Sequence, residues 1–214
     1  MTYRLYSYWR ASAPFRVRIG LNLKGLAYEI VPVNLVEGEQ GSGAYKALNP
    51  QRLLPTLEIG EGLRLTQSLA ILEWLEETHP EPALLPADPT GRAVVRAMAE
   101  VVACDIHPLN NMRIMRAITG LGADQAARDA WTRRWISDGF DALERMIARH
   151  GDGFAFGSTP TLADCCLVPQ VHNARRANID ISAWPHLKAA YDRAESLDAV
   201  VAARPDNQPD AVKA

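Results

Sequence analysis

The stretch SYWRASAPFRVRIGLNLKG, Ser7 to Gly25, carries a hydroxyl-bearing turn straight into an amphipathic helix. Phe15 and Ile19, with Val17 and Leu21, recur at helical spacing, and the pattern stops at Gly25, so a helix is expected over Phe15 to Lys24. Tyr3 to Tyr8, just before it, reads as a short β-rich strand. A reactive anion at this strand-to-helix junction would meet backbone N–H groups and the positive end of the helix dipole.

Working outward, Tyr28 to Leu35 reads as a second strand, Gly38 to Gly43 as a polar loop, and a short helical piece ends at Asn49-Pro50. Leu53 to Ile59 and Leu63 to Leu65 read as two strands around Gly60-Glu61-Gly62, a hairpin signal. Ser68 is placed to cap a helix through Leu69, Leu72 and Leu75 that ends before Pro80. The order is βαβ, short helix, ββα.

Pro80 to Pro89 is proline-rich and aperiodic, the composition of a linker. Beyond it the apolar residues fall at helical spacing. Val95, Ala99, Val102 and Ile106 mark one stripe, and Trp131, Trp135, Phe140, Leu143 and Ile147 another. Pro108 interrupts the first pattern by removing an N–H and crowding the Cys104 carbonyl, which predicts a kink. Thr161-Leu-Ala-Asp164 has capping-box spacing and precedes the apolar run Cys165 to Val168, so a buried helix should start abruptly at Thr161. The predicted division is an α/β domain over 1–82, a linker over 83–90 and an all-helical domain over 91–214.

A net charge of -2 over 214 residues supplies none of the basic excess that a nucleic-acid partner calls for. No apolar run approaches the roughly 18 residues of a membrane span, and the N-terminus lacks the apolar core of a signal peptide. A soluble, cytoplasmic protein is expected. Cys104, Cys165 and Cys166 are odd in number and lack metal-ligand spacing with histidine. Neither a disulfide framework nor a metal is indicated, and buried apolar packing is their expected role.

Pro55 opens a strand without being able to donate to its ladder, so it marks an edge or a bend, and a cis bond is one way to build that bend. The residue before it then offers backbone groups to an extended peptide. Gln67-Ser68 combines an amide, a hydroxyl and a helix start, which together suit an amino-acid carboxylate. Each feature alone is ordinary. Their combination with the opening turn in one βαβ-ββα unit points to a site.

On YSYWRASAPFRVRIGLNLKGLAYE, ALNPQRLLPTLEI, TQSLAILEWLEE, CDIHPLNN, TLADCCLVPQVHNARR and the closing DNQPDA, the chain resembles glutathione transferases of the zeta class, the maleylacetoacetate and maleylpyruvate isomerases. The resemblance implies a thioredoxin-like α/β glutathione-binding domain followed by an all-α helical bundle. It also implies glutathione as cofactor and a homodimer; Asp105, a charge beside the apolar stripe of the first long helix, fits either a place at or near an interface or a buried structural role. The class carries Ser-Ser-Cys after an arginine, whereas Arg10 is followed here by Ala11-Ser12-Ala13. With no cysteine at this position, the nucleophile is left to glutathione.

Carried residue by residue, the resemblance makes Ser12 the hydrogen-bond partner of the glutathione thiolate; the residues alone make it a helix cap. Leu54, beside a cis Pro55, pairs with the cysteinyl backbone. Gln67 and Ser68 hold the γ-glutamyl end, and Gln40 adds a contact from the loop after the second strand. His107, Asn111 and Arg113 line the site from the helical half. Arg10 and Arg176 bind the carboxylates of a dicarboxylate substrate, while Arg16, Arg18 and Arg175 are expected as surface or structural charges. The implied reaction is glutathione-dependent cis–trans isomerisation of a maleyl keto acid to its fumaryl product, in aromatic catabolism such as tyrosine and phenylalanine degradation. Two other readings share the fold: a general glutathione transferase or haloacid dehalogenase, which consumes the thiol, and a non-catalytic binding protein.

Overall fold

In the computed structural model, which describes residues 2–60 and 62–212, the sheet is built around β1 (Tyr3–Ser7). Four strands lie in the order β2-β1-β3-β4, with β2 at Tyr28–Pro32, β3 at Thr56–Gly60 and β4 at Leu63–Thr66. β1 runs parallel to β2 and antiparallel to β3, and β3 runs antiparallel to β4. Glu61, at the tip of the predicted hairpin, lies outside the described residues.

Alternation along β1 sends successive side chains to opposite faces. Ser7 meets helix α1 (Ser12–Leu23) through Arg18, while Tyr6 packs with Tyr45 of α2 (Gly43–Leu48) and with Val33. α1 begins three residues before the expected Phe15, because Pro14 is tolerated in a first turn where its missing N–H costs nothing. It ends as predicted at Gly25, whose φ of 66° suits glycine, with Leu26 N–H donating to Leu21 O and Gly25 N–H to Asn22 O. α3 (Ser68–Thr78) packs against α1 so closely that a Cβ on Gly20 would collide with Leu72 Cδ2.

The chain divides into two compact units. The first runs to Leu84 and regains the chain from Ser196 onward, and the second spans Leu85–Glu195. The closing residues, which the composition break groups with 91–214, thus fold with the sheet. Helix α9 (Asp198–Ala203) packs on α1, where Asn22 Nδ2 donates to Ala199 O at 2.8 Å and Arg18 Nε to Ala203 O at 3.0 Å.

Lys24, at the end of α1, is buried and spends all three of its donors. It reaches Glu76 Oε2 at 2.6 Å and the carbonyls of His79 and Pro82 at 2.7 Å each. Glu76 Oε2 also accepts from Leu84 N–H at 2.8 Å, so one ion pair ties α1, α3 and the segment that follows α3. Removing one partner leaves a lone buried charge. Lys24→Met should therefore lower the unfolding free energy by about 3–5 kcal/mol, with part of the loss recovered when Glu76→Gln is added. Urea denaturation of the single and double variants measures both.

In the second unit, α4 (Pro89–Glu100) continues into a π-helical segment, Val101–Ile106. Instead of a kink in a continuing helix, a short 3-10 turn at Pro108–Asn110 follows, and a new helix α5 (Met112–Gly120) starts beyond it. Pro108 cannot donate the next helical bond, so the pattern stops there. α6 (Gln125–His150) buries Ile136, Phe140, Leu143 and Ile147, and approaches the π segment so tightly that a Cβ on Gly139 would strike Ile106. α7 (Leu162–Arg176) is the buried helix of this unit, and α8 (Pro185–Glu195) packs against both α6 and α7. Cys165 and Cys166 are buried as expected, whereas Cys104, on the π segment, is exposed.

The capping box at α7 forms as predicted, with both reciprocal bonds present. The Asp164 carboxylate accepts from Thr161 N–H, Thr161 Oγ1 and Ala155 N–H at 2.8–3.0 Å. Burial nevertheless pushes its pKa up from 3.8 to about 6, against the opposing pull of these bonds. Between about pH 4 and pH 6 the unfolded chain releases a proton that the folded chain keeps, so this contribution to stability is complete at low pH and is lost as pH rises through 6. Asp164→Asn should lack this fall. Denaturation at about pH 4.5 and 6.5 should show the wild type losing about 1–3 kcal/mol relative to the variant across the interval.

Candidate active site

Register brings the predicted residues of the first unit to one end of the sheet. Tyr6 stands opposite Thr56, and Thr56 opposite Thr66. The turn after β1, the Leu54-Pro55 bend before β3 and Gln67-Ser68 after β4 therefore leave from the same end. β2 is parallel to β1, with Pro32 opposite Ser7, so the loop carrying Gln40 leaves there too.

Tyr8 to Ala11 form a β-turn, closed by Ala11 N–H donating to Tyr8 O at 2.9 Å, with Trp9 and Arg10 as its central pair. The N-cap of α1 is Ala11, which has no capping side chain, and Ser12 is the first helical residue. The capping role open to Ser12 in the sequence thus falls to Ala11. No acidic residue occupies the first turn, so the helix start keeps its positive character. Ser12 is 7% exposed, while Arg10 is exposed with its guanidinium 5.7 Å from the Trp9 ring centroid.

The Leu54-Pro55 peptide bond is cis. The preceding carbonyl, Leu53 O, accepts from Tyr45 Oη and Asn49 Nδ2 at 2.8 Å each, and Tyr45 Oη also lies 3.0 Å from Thr56 Oγ1. Leu54 itself makes no backbone hydrogen bond among the described residues. Sequence reasoning missed Tyr45 and Asn49 as the supports of this bend; the Asn49-Pro50 helix stop was their only local signal.

The cap expected of Ser68 belongs instead to Gln67, whose φ of 68° lies in the left-handed region and whose side chain makes no cap bond. A non-glycine residue held there is strained, a feature that concentrates at binding sites. Gln67 is exposed and donates to Gln51 Oε1 at 2.9 Å. Ser68 is buried and accepts from Arg16 at 3.1 Å. Arg16 and Arg18 are 2% and 0% exposed, so of the two roles open to them, surface or structural, both take the structural one, because α1 is buried on all sides from Ser12 to Leu21. Gln40 sits in a 3-10 turn, with its Oε1 buried and unpaired among the described residues.

In the second unit, His107 closes the π segment through its N–H to Val102 O at 2.9 Å. Asn111 is the N-cap of α5, accepting from Arg113 N–H at 3.1 Å, so His107 and Asn111 do not lie on one continuous helix. Arg113 is exposed on α5. Arg176 is exposed in the last turn of α7 and donates to Asn173, while Arg175 is taken up by Tyr191, donating to its hydroxyl at 3.0 Å. Asp105 is exposed. Among the described residues no group of three metal-binding side chains occurs, and no helix is long and apolar enough to cross a membrane.

The glutathione S-transferase N-terminal domain family matches residues 12–78, and the corresponding C-terminal domain family matches residues 125–193. A maleylpyruvate isomerase from a Ralstonia species is 51% identical, over 97% of this chain and 99% of its own. A holo structure of a bacterial zeta-class maleylpyruvate isomerase superposes with a TM-score of 0.95 at 50% identity, covering 98% of this chain and 100% of its own. The maleylacetoacetate isomerase of Anaeromyxobacter dehalogenans, solved with dicarboxyethyl glutathione and citrate in its active site, gives a TM-score of 0.90 at 46% identity, covering 99% of this chain and 98% of its own. Two domain families in the expected order and near-complete coverage at such identity leave one assignment: the chain belongs to the glutathione S-transferase family, among the zeta-class maleylpyruvate and maleylacetoacetate isomerases.

Proposed function

We propose that the protein is a glutathione-dependent cis–trans isomerase of a maleyl keto acid, maleylpyruvate or maleylacetoacetate, in aromatic catabolism. The observation that carries this reading is the shared sheet end, from which the Ser12 helix start, the Leu54-Pro55 bend and Gln67-Ser68 all leave. The residues there fit a γ-glutamyl tripeptide. Leu54, without a backbone partner among the described residues, can pair with the cysteinyl backbone as a short added strand. Gln67 and Ser68, at the start of α3, suit the γ-glutamyl carboxylate. The buried, unpaired Gln40 Oε1 can accept one of its N–H groups. The relatives named above as maleylpyruvate and maleylacetoacetate isomerases, and the glutathione adduct held by one of them, support the same ligand and substrate class.

When bound, glutathione supplies a thiol for reversible addition to the conjugated alkene and is returned unchanged. Ser12 donates its hydroxyl to the sulfur, and the start of α1 adds its dipole, drawing the thiol below its ordinary pKa of about 8.5. By resemblance, Arg10 and Arg176 are assigned to the substrate carboxylates, which a guanidinium binds in bidentate fashion, and to the negative charge that develops on the conjugated carbonyl. His107, Asn111 and Arg113 are assigned to the lining by resemblance. The same resemblance supports a cytoplasmic homodimer.

Ser12→Ala should raise the pKa of the bound thiol and lower kcat by about 10- to 100-fold, read from thiolate absorbance and from loss of enone absorbance. An unchanged pKa and rate would remove Ser12 from the reaction. Arg176→Ala should raise KM about tenfold for the dicarboxylates while leaving a neutral thiol acceptor nearly unaffected, and equal effects on both would place Arg176 elsewhere. Maleylpyruvate and maleylacetoacetate are compared in the same assay, with glutathione followed in parallel. Constant glutathione marks an isomerase, and stoichiometric consumption marks a conjugating transferase.

A further inference from the structure

The closing DNQPDA segment returns to the turn that carries Arg10 and Ser12. A 3-10 turn at Pro205–Asn207 leads into it, and Gln208, 8% exposed, fixes it by donating to Ala202 O and Arg204 O at 3.0 and 2.8 Å. A further turn, Ala211 N–H to Gln208 O at 3.1 Å, presents Asp210. Its Oδ2 accepts from Trp9 N–H at 2.9 Å, across 201 residues of sequence.

Trp9 is the first central residue of the Tyr8–Ala11 turn, and the turn's own hydrogen bond leaves its N–H and C=O unused. Both are nevertheless held. The N–H goes to Asp210, and the carbonyl accepts from Arg18 at 3.0 Å. The central peptides of a turn set where the following residues point, and here those residues are Arg10 and, at the helix start, Ser12. Trp9 Nε1 and Asp210 Oδ1 are also buried, and both are unpaired among the described residues. One is a donor and the other an acceptor. Asp210 also acts electrostatically on the buried Arg18 guanidinium, so its charge and its hydrogen bond are separable contributions.

We propose that Asp210 is a positioning residue of the reaction, fixing through the Trp9 N–H the turn that aims Arg10 and Ser12. This rests on the reading of Ser12 as the thiolate partner. If geometry is what matters, Asp210→Asn, which keeps an acceptor for Trp9 N–H, should hold kcat and the pKa of the bound thiol close to wild type. Asp210→Glu, which keeps the charge but displaces the acceptor, and Asp210→Ala should each raise that pKa by about one unit and cut kcat about tenfold, with KM for maleylpyruvate within about twofold. Thiolate absorbance against pH and steady-state kinetics are measured on the full-length proteins, well below their melting temperatures. A charge-balancing role predicts the opposite order, with Glu tolerated and Asn impaired, and a purely structural role predicts no change of pKa or kcat in any folded variant; either result overturns the proposal. So does an Asp210→Glu protein with wild-type pKa and kcat, a comparison that stands even if Asp210→Ala does not fold. A wild-type protein showing no thiolate band with glutathione overturns the Ser12 reading and this inference together; a wild-type band with no response to Asp210→Glu overturns this inference alone.

Discussion

Arg18 donates from one fully buried guanidinium to Ser7 Oγ in β1, to the Trp9 carbonyl in the turn after it and to the Ala203 carbonyl in α9. The open end of the sheet depends on that fan of bonds. Burial lowers the pKa of Arg18 to about 10, still far above neutrality, so it stays charged among mainly neutral oxygens. Such a charge is tolerated only when its donors are satisfied in a fixed geometry. The strand end, the turn and helix α9 are thereby locked into one arrangement, and the start of α1 inherits that rigidity.

The same device recurs at two other places. Lys24 joins α1, α3 and the segment after α3 through Glu76, and Asp164 joins the start of α7 to Ala155. Apolar packing supplies most of the driving force for folding but is not directional. Interior hydrogen bonds to charged groups set which carbonyl meets which helix, and each charged group here has its partners close by.

Local signals explain what was legible in the sequence. The α7 capping box has both halves within four residues, and the Gly25 stop needs only a left-handed φ, so both could be seen without tertiary knowledge. The caps at Ser12 and Ser68 were misplaced by one residue, because an N-cap is defined by backbone geometry and here falls on Ala11 and Gln67, neither of which uses a side chain. Arg16 and Arg18 looked solvated because charged residues usually are, although the apolar residues around them leave α1 no polar face. The return of the chain from Ser196 to the first unit has no local signal at all, since Arg18, Asn22 and Trp9 meet it across about 180 residues or more of sequence. Of the candidate site, the motifs were readable; the shared sheet end came only from strand register.

The π-helical segment Val101–Ile106 has a consequence for how this chain can differ in length from a relative. A π turn holds one residue more than an α turn and commonly records a single-residue insertion accommodated without breaking the helix. Deleting one residue there would restore regular i→i-4 bonding and rotate everything on one side of the deletion by about 100° relative to the other. Ile106, seated against Gly139, would be carried off its contact, and His107 would leave its present direction. An alignment that places a one-residue gap within these six residues therefore separates chains that keep this histidine's orientation from chains that do not.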